Sequence, residues 1–546
     1  MRINNFFKIL VSTTALGVTA CAPQADWFSE YGDAPTGEPV QIMSGAHDDD
    51  MRMYGDVNAP INEPIMPAES QNVTAHIAAL LPLTGTYADI GNGIRTAIEM
   101  AYLQRPGSAA ITFYDVAENR DGAITAALAT NPEIIIGPVF ADDVRALRTA
   151  KPITTPVLAF TSDADAIGNG VMTMALMPHQ SIEVIMKQMV PDGIRRLVIF
   201  APDTTSGHIM AGAARDAAQL YDIGISGISF YSERNSEAIK TAAMDASLYT
   251  ARRDAHTRAR EILADILTNE DLNASEKASL NTQLEKLAKT ETLGRAPFDA
   301  VLFLGDGADS KTLASFLRYY GVGARDARFY GTALWDGSDV IGDFTMSGAR
   351  FATLPETSPA FNTTFATLGG YGPGRLASFG YDATNLATGM IRSEKTNAAY
   401  LLDPSGFRGI DGLVRMTPNG ANERALRVMQ LNGTPIPTQI RAPAVNFMTP
   451  LYNIDGRRVT PARAMPIRGT GVNPCDYIKI GERFSDKYPC KTYGATHTPS
   501  PQTETTSIIT ITQSENDASI AASPEFQPAS LEPVSRTLID AVELTE

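Results

Sequence analysis

From residue 74 onward the chain repeats one pattern: a short apolar run, a polar turn, then a stretch whose apolar positions have helical spacing. The runs are HIAALLPL (76–83), AAITFYDV (109–116), EIIIGPVF (133–140), PVLAFTS (156–162), RRLVIFAP (195–202), DAVLFLGD (299–306) and ARFYGTAL (327–334). Runs without a polar face, separated by helices, are what a parallel sheet covered on both sides requires, so the fold class predicted is α/β. The rhythm breaks between residues 233 and 294, where almost every residue favours helix. Ala259, Ile262, Leu263, Ile266 and Leu267 form one stripe, Leu280, Leu284 and Leu287 another, and Asn273 followed by Glu276 has capping-box spacing between them. The spacing predicts a helical hairpin inserted into a domain. Residues 22–72 show neither period and read as a flexible tether with a root-mean-square span of roughly 40 Å. The Ser/Thr/Pro/Glu-rich tail that runs to residue 546 lacks the apolar content to fold alone, though Leu538, Ile539, Val542 and Leu544 would line an amphipathic turn on a partner.

The first twenty residues change the picture of where this domain works. Arg2 and Lys8 accompany an apolar stretch, ILVSTTALGVTA (9–20), that ends in small residues and is too short to span a bilayer. It reads as a secretory signal. Val18-Thr19-Ala20-Cys21 resembles the lipobox of bacterial lipoproteins, which implies that Cys21 is lipidated and tethers a chain that never crosses the membrane; an ordinary cleaved signal with an incidental cysteine is the other reading. Ala22, in place of the Asp that retains lipoproteins at the inner membrane, implies an outer-membrane destination. With Cys21 set aside, Cys475 and Cys490 remain, and a lone pair in an exported chain reads as one disulfide. The net charge of −16 argues against nucleic acid and against adsorption to anionic lipid through a basic patch.

Several motifs fall short of the chemistry they suggest. Residues 305–312 (GDGADSKT) follow a predicted strand and open a helix, but Ser310 stands where a phosphate-binding loop needs its second glycine, and Asp306 and Asp309 would repel phosphate. Thr96 takes the third glycine position of a dinucleotide fingerprint begun at Gly91 and Gly93. Asp163, Asp165 and Gly168 fail as a calcium loop because Met174 occupies the twelfth position. His47 beside Asp48, Asp49 and Asp50 reads as a solvated charge run, and His208 follows a strand end without an acid or base partner. No HExxH or GxSxG is present. The expectation is a protein that is not an enzyme and carries no cofactor and no metal.

The stretch LLPLTGTYADIGNGIRTAIEMAY (80–102) resembles the first strand, loop and helix of the leucine/isoleucine/valine-type periplasmic binding proteins. IGPVFADDVRAL (136–147), PVLAFTSD (156–163), RYYGVGARDARFYGTALWD (318–336), FGYDATNLA (379–387) and GIDGLVRMTPNGANERAL (409–426) follow in the same order. With the lipobox, the set resembles the penicillin-binding-protein activator lipoproteins of Gram-negative bacteria. The resemblance implies two Rossmann-like lobes of the type I fold: lobe 1 at 74–177 and 355–440, lobe 2 at 178–354 and 441–467 with the insert at 233–294, and a disulfide loop and disordered tail at 468–546. It places ligand-cleft positions at Thr84, Gly85 and Tyr87, at Pro138 and Phe140, and at Thr161, Ser162 and Asp163, with Thr205, Ser206, Asp306 and Trp335 on the opposite lobe. They either bind ligand or merely form turns over a shallow cleft. Phe140 and Ala141 fill the region where a carboxylate-binding serine is expected, which argues against an amino-acid ligand. Activator lipoproteins also carry a helical-repeat domain ahead of this fold, where this chain has its tether. The implied function is periplasmic regulation of a peptidoglycan synthase, the implied partner; a cell-wall fragment or an amino acid is the small ligand to consider. The alternative is the solute-receiving component of an ABC transporter.

Overall fold

The computed structural model describes residues 75–104, 109–152, 154–447, 450–453, 459–467 and 472–492. The signal peptide, Cys21, the tether, His47 and the tail beyond 492 lie outside the described residues.

Lobe 1 is built on β1 (His76–Leu81), β2 (Ala110–Asp115), β3 (Ile134–Ile136), β4 (Val157–Ala159) and β5 (Val171–Thr173). All are parallel, in the order β2-β1-β3-β4-β5. The two-faced apolar run of β1 divides as its alternation demands. Ile77, Ala79 and Leu81 face one layer with Ile94 and Ile98 of α1 (Ala88–Gln104), while Ala78 and Leu80 face the other with Ile124 of α2 (Arg120–Ala129) and Val144 and Leu147 of α3 (Ala141–Ala150).

The chain then crosses to lobe 2 through α4 (Pro178–Met189), β6 (Arg196–Pro202), α5 (Thr205–Leu220), β7 (Gly224–Tyr231), α6 (Ser236–Ala246), α7 (Tyr249–Leu267), α8 (Ala274–Leu287), β8 (Ala300–Phe303), α9 (Gly307–Tyr319), β9 (Arg328–Gly331) and β10 (Arg350–Thr353). It returns to lobe 1 with α10 (Pro359–Gly369), α11 (Ala377–Arg392), α12 (Ala398–Leu401) and a small antiparallel sheet of β11 (Phe407–Gly409), β12 (Gly412–Met416) and β13 (Asn422–Arg424). Phe379, Ala383, Leu386 and Met390 of α11 seal the α1 side of the first sheet.

Two expectations need correction. Residues up to 440 were expected in lobe 1, yet β14 (Arg427–Gln430) and β15 (Thr438–Arg441) join the lobe 2 sheet, whose order is β15-β14-β10-β9-β8-β6-β7. The cause is burial on two faces: Val428 packs with Tyr330 and Ala352, and Met429 packs with Phe351 on the other side, so the strand belongs antiparallel beside β10. The insert is also shorter than the helical composition suggested. Ile239, Ala242, Ala243 and Ala246 of α6 pack on Val301, Phe303 and Leu313, which makes α6 a covering helix of the sheet itself.

Only α7 and α8 project, with the predicted capping box of Asn273 and Glu276 between them. Their apolar stripe is not left open. The segment from Val472 to the edge of the described residues folds over it, and Cys475, Ile478, Ile480 and Cys490 share one core with Ala259, Ile262, Leu263, Ile266, Leu280 and Leu287. Within that segment β16 (Lys479–Ile480) pairs with β17 (Lys491–Thr492), and Cys475 is bonded to Cys490. Gln283 of α8 donates to Lys479 O and accepts from Lys479 N, and Arg483 pairs with Glu276 at 2.6 Å. Buried Arg252 joins this module to lobe 2 by donating to Ser247 O, Tyr320 O, Thr292 Oγ1 and Gly294 O.

Closing a loop of fifteen residues' separation is worth about 3 kcal/mol in the chain-entropy model. Reduction is therefore expected to release residues 472–492 and loosen α7 and α8 while both lobes stay folded. Hydrogen exchange with and without reductant measures this; faster exchange across both sheets would contradict it.

Candidate functional site

In lobe 1 the loop after β1 is shaped by a carboxylate. Asp115 at the end of β2 accepts from Leu83 N (2.9 Å), Ala117 N (2.9 Å) and Thr84 Oγ1 (2.5 Å). Burial acts to raise the Asp115 carboxyl, but the hydrogen bonds from Thr84 and the backbone amides outweigh it and hold it below the usual carboxylate range. Gly85 enters the following turn at φ +71°, a conformation that favours glycine, and Tyr87 leaves it half-exposed with its ring 4.7 Å from Phe140. Pro138 accepts from Phe160 N, linking the β3 and β4 ends. The Thr161 hydroxyl accepts from Asp163 N, the Asp163 carboxylate pairs with Arg145, and Ser162 is exposed between them.

In lobe 2 the same economy holds. Thr204 caps α5 by accepting from Gly207 N at 3.1 Å, leaving Thr205 and Ser206 exposed on its first turn. Asp306 caps α9 by accepting from Asp309 N at 2.9 Å and pairs with Arg234. Trp335, expected to line the cleft, is fully buried and belongs to the core. Its indole lies against Gly331, where a Cβ would come within 2.3 Å of the ring, and its Nε1 donates to Ser310 Oγ at 3.0 Å. An indole carries one donor, and burial is tolerated here because that donor is satisfied. Buried Asp309, whose carboxyl is raised by burial and by Asp306, and the Tyr231 phenol beside Gly305 also face this end of the sheet; the sequence reading missed Tyr231, which stands in an unremarkable strand.

The lobes are tied to each other across the cleft and at the hinge. Arg375, at the entrance to α11 of lobe 1, donates to Ala333 O and Asp336 O of lobe 2 and lies 3.5 Å from the Asp336 carboxylate. Asp336 in turn accepts from Thr353 Oγ1 at 2.8 Å. On the lobe 1 side of the hinge, Arg424 and Asp411 form an ion pair at 2.8 Å with side chains 0% and 2% exposed. Arg424 also donates to Met174 O (2.7 Å), lies 4.5 Å over the Phe379 ring, and receives the Tyr452 hydroxyl on its carbonyl. Ser378 donates to Asp411. Asn422 donates to Thr173 O and Ala175 O, Gln180 donates to Asn422 Oδ1, and Arg427 donates to Leu354 O. All three chain crossings, near residues 174–178, 354–358 and 424–427, are held by this buried network. A sequence signal existed for it: Asp411, Arg424 and Arg427 are charges set among residues of strand-like apolar character.

The family model described as "LppC putative lipoprotein" matches residues 63–392, which is more than half of the chain. The chain belongs to this LppC family. No curated protein matches it. Among solved structures, a protein described as a branched-chain amino acid ABC transporter from Rhodospirillum rubrum is 17% identical over 67% of this chain and all of its own, with a TM-score of 0.50. The C-domain of LpoA from Haemophilus influenzae, described as a regulator of PBP1A, is 17% identical over 67% of this chain and all of its own, with a TM-score of 0.45. Against full-length LpoA from the same organism the match covers 68% of this chain and 60% of that one, at 17% identity and a TM-score of 0.44. At 17% identity the likeness to the Rhodospirillum rubrum structure shows the fold alone, that of a type I periplasmic binding protein, which the LppC chain shares.

A cavity of about 810 Å³ in the LppC chain lies away from the cleft, where the N-terminal ends of β6 and β7 meet the disulfide-bonded module; Arg196, Ser226, Leu248, Arg295, Asp476 and Tyr477 are among its walls. On the same lobe, His208 of α5 donates from Nδ1 to Ala462 O and from Nε2 to Asp203, stacked on Phe230 at 3.9 Å. The hydrogen bond to Ala462 and then the one to Asp203 raise its pKa above the ordinary value of 6.5. A raised folded pKa stabilises the attachment of residues 459–467, which His208 holds through Ala462, at low pH, an effect complete below the unfolded value and lost as pH rises through the folded one. Amides of residues 459–467 are expected to exchange faster at pH 9 than at pH 6 after correction for intrinsic rates. His208→Gln should remove the difference, and an unchanged profile in wild type would contradict it.

Among the described residues no group of three or more His, Cys, Asp and Glu side chains could hold a metal, and no helix is long and apolar enough to cross a membrane.

Proposed function

We propose that this LppC lipoprotein is a non-enzymatic regulator of a peptidoglycan synthase, anchored through lipidated Cys21 to the outer membrane and acting as a scaffold of fixed geometry. One observation carries the reading. Three polar groups at the strand ends are committed within their own lobes, Thr84 to Asp115, Asp163 to Arg145 and Asp306 to Arg234, while Arg375 and the Gln180–Asn422 hydrogen bond tie one lobe to the other. A solute receptor needs free polar groups in the cleft and lobes that swing. A scaffold needs a defined surface. LppC membership and the resemblance to penicillin-binding-protein activators point to the same class of partner, and PBP1A regulation, the role attached to LpoA, is the form of it proposed here.

The test is glycan polymerisation and crosslinking by a purified bifunctional synthase, with and without the detergent-solubilised lipoprotein. Stimulation is expected. Absence of stimulation together with saturable binding of leucine, isoleucine or valine would replace this reading with transport. The anchor has its own test: Cys21→Ser should release the protein from membranes or leave it uncleaved, because each buried methylene of the acyl chains adds about 0.8 kcal/mol of membrane affinity. Mature protein without acyl groups by mass spectrometry would contradict it.

A further inference from the structure

Helix α7 begins against its local preferences. Its cap residue, Leu248, sits at φ +51°, in the left-handed region, makes no side-chain cap, and is followed by a first turn without an acidic residue. Between residues 249 and 260 the helix places Arg252, Arg253, Arg258 and Arg260 against the single acid Asp254. Cations in the first turn of a helix oppose its dipole, so Arg252 and Arg253 cost helix stability. Two of the four arginines have local explanations: Arg252 pins the module to lobe 2, and Arg258 pairs with Glu261 at 3.2 Å. Arg253 and Arg260 have none. Both are exposed, neither forms an ion pair among the described residues, and a spacing of seven residues puts them on one face.

That face continues into an aromatic cluster. Arg253 lies 5.6 Å over the ring of Tyr249, Tyr249 is 4.8 Å from Tyr320, and Tyr320 is 5.2 Å from Tyr319. Tyr320 is buried in the lobe core and fixes the group, whereas Tyr319 is 73% exposed. Lys240 of α6, itself paired with Glu237 at 3.1 Å, also lies beside Tyr319 and Tyr320, so the uncompensated charge comes from the arginines. Exposed tyrosine held rigidly beside unpaired arginine is the composition of a protein-binding hot spot.

We propose that this cationic and aromatic surface receives an acidic face of the protein partner; the inference rests on the synthase reading and assigns that reading its contact site. Charge complementarity selects the occupant. The chain carries a net charge of −16, so an unpaired basic patch on it is a local exception suited to steering an acidic surface into register. A second copy docking its acidic surface here would make a head-to-tail contact, which builds open chains unless the rotation closes.

The test uses the full chain and the purified synthase, with affinity measured at low and at moderate salt. Wild-type binding should weaken with salt, and R253E/R260E should weaken it by on the order of tenfold and remove most of the salt dependence. R253Q/R260Q should fall between them, and Tyr319→Ala should weaken binding at both salt concentrations. All three side chains changed are exposed, and unaltered circular dichroism checks the fold. Equal affinity of wild type and R253E/R260E for the synthase would overturn the inference alone. Wild-type protein that binds no synthase would overturn the functional reading and this contact with it. Loss in R253E/R260E of self-association, or of binding to isolated peptidoglycan, with synthase affinity intact would assign the surface to a different occupant and overturn the proposal.

Discussion

Asp411→Ala is expected to destabilise the folded body by about 3–5 kcal/mol, because it strands the Arg424 guanidinium in a site where its side chain is 0% exposed. The remaining contacts of Arg424, to the carbonyl of Met174 and the Phe379 ring, do not replace a counter-charge. Replacing both partners by apolar residues, Arg424→Met with Asp411→Leu, should recover most of the loss, since removing a buried pair together avoids the uncompensated charge. The double variant should therefore be stable while lacking the brace between the crossings at Met174 and Arg424. Denaturant unfolding of the three proteins measures this, and a loss of less than about 1 kcal/mol for Asp411→Ala would mean that the pair does not hold the crossings.

A contrast of two deletions is expected to give the other large effect. Replacing residues 233–294 by a short linker removes α6, and with it Ile239, Ala242, Ala243 and Ala246 from the face of β8. Loss of Ile239 alone is worth about 2–5 kcal/mol, so lobe 2 should fail to fold. Replacing only residues 249–293, together with removal of the chain from 472 onward, takes away a module with its own core and should leave both sheets intact. Near-ultraviolet circular dichroism and hydrogen exchange distinguish the outcomes. A folded lobe 2 in the first deletion would contradict the assignment of α6 to the lobe core, and an unfolded one in the second would contradict the independence of the module.

β1 to β4, β6, β8 and β9 were legible in the sequence because a strand buried on two faces is apolar at nearly every position, as 134–136 and 300–303 are. β14 was hidden by the opposite property: it opens with Arg427, whose charge is absorbed by Leu354 O and Glu356 from a segment some seventy residues earlier. The cleft positions were legible as strand ends, but their availability was not. Whether Thr84 is free depends on Asp115, and whether Asp163 is free depends on Arg145, and no local pattern encodes either contact. The same limit concealed the cover on the helical hairpin. Its stripe of Leu280 and Leu287 looked open to a partner, while Ile478 and Ile480, nearly two hundred residues on, supply the missing face.

The central claim is that the two lobes hold a fixed relation and do not close on a solute. Ser162 and Ser206 are exposed at strand ends on opposite lobes, so spin labels on Ser162→Cys and Ser206→Cys report the width of the cleft directly. The distance distribution by pulsed electron paramagnetic resonance should be unchanged on adding leucine, isoleucine, valine or soluble peptidoglycan fragments in the otherwise native protein. The Arg424→Met/Asp411→Leu background, which lacks the brace between Met174 and Arg424, should broaden it. A saturable shift of more than about 2 Å with any of those solutes in the native background would contradict the account.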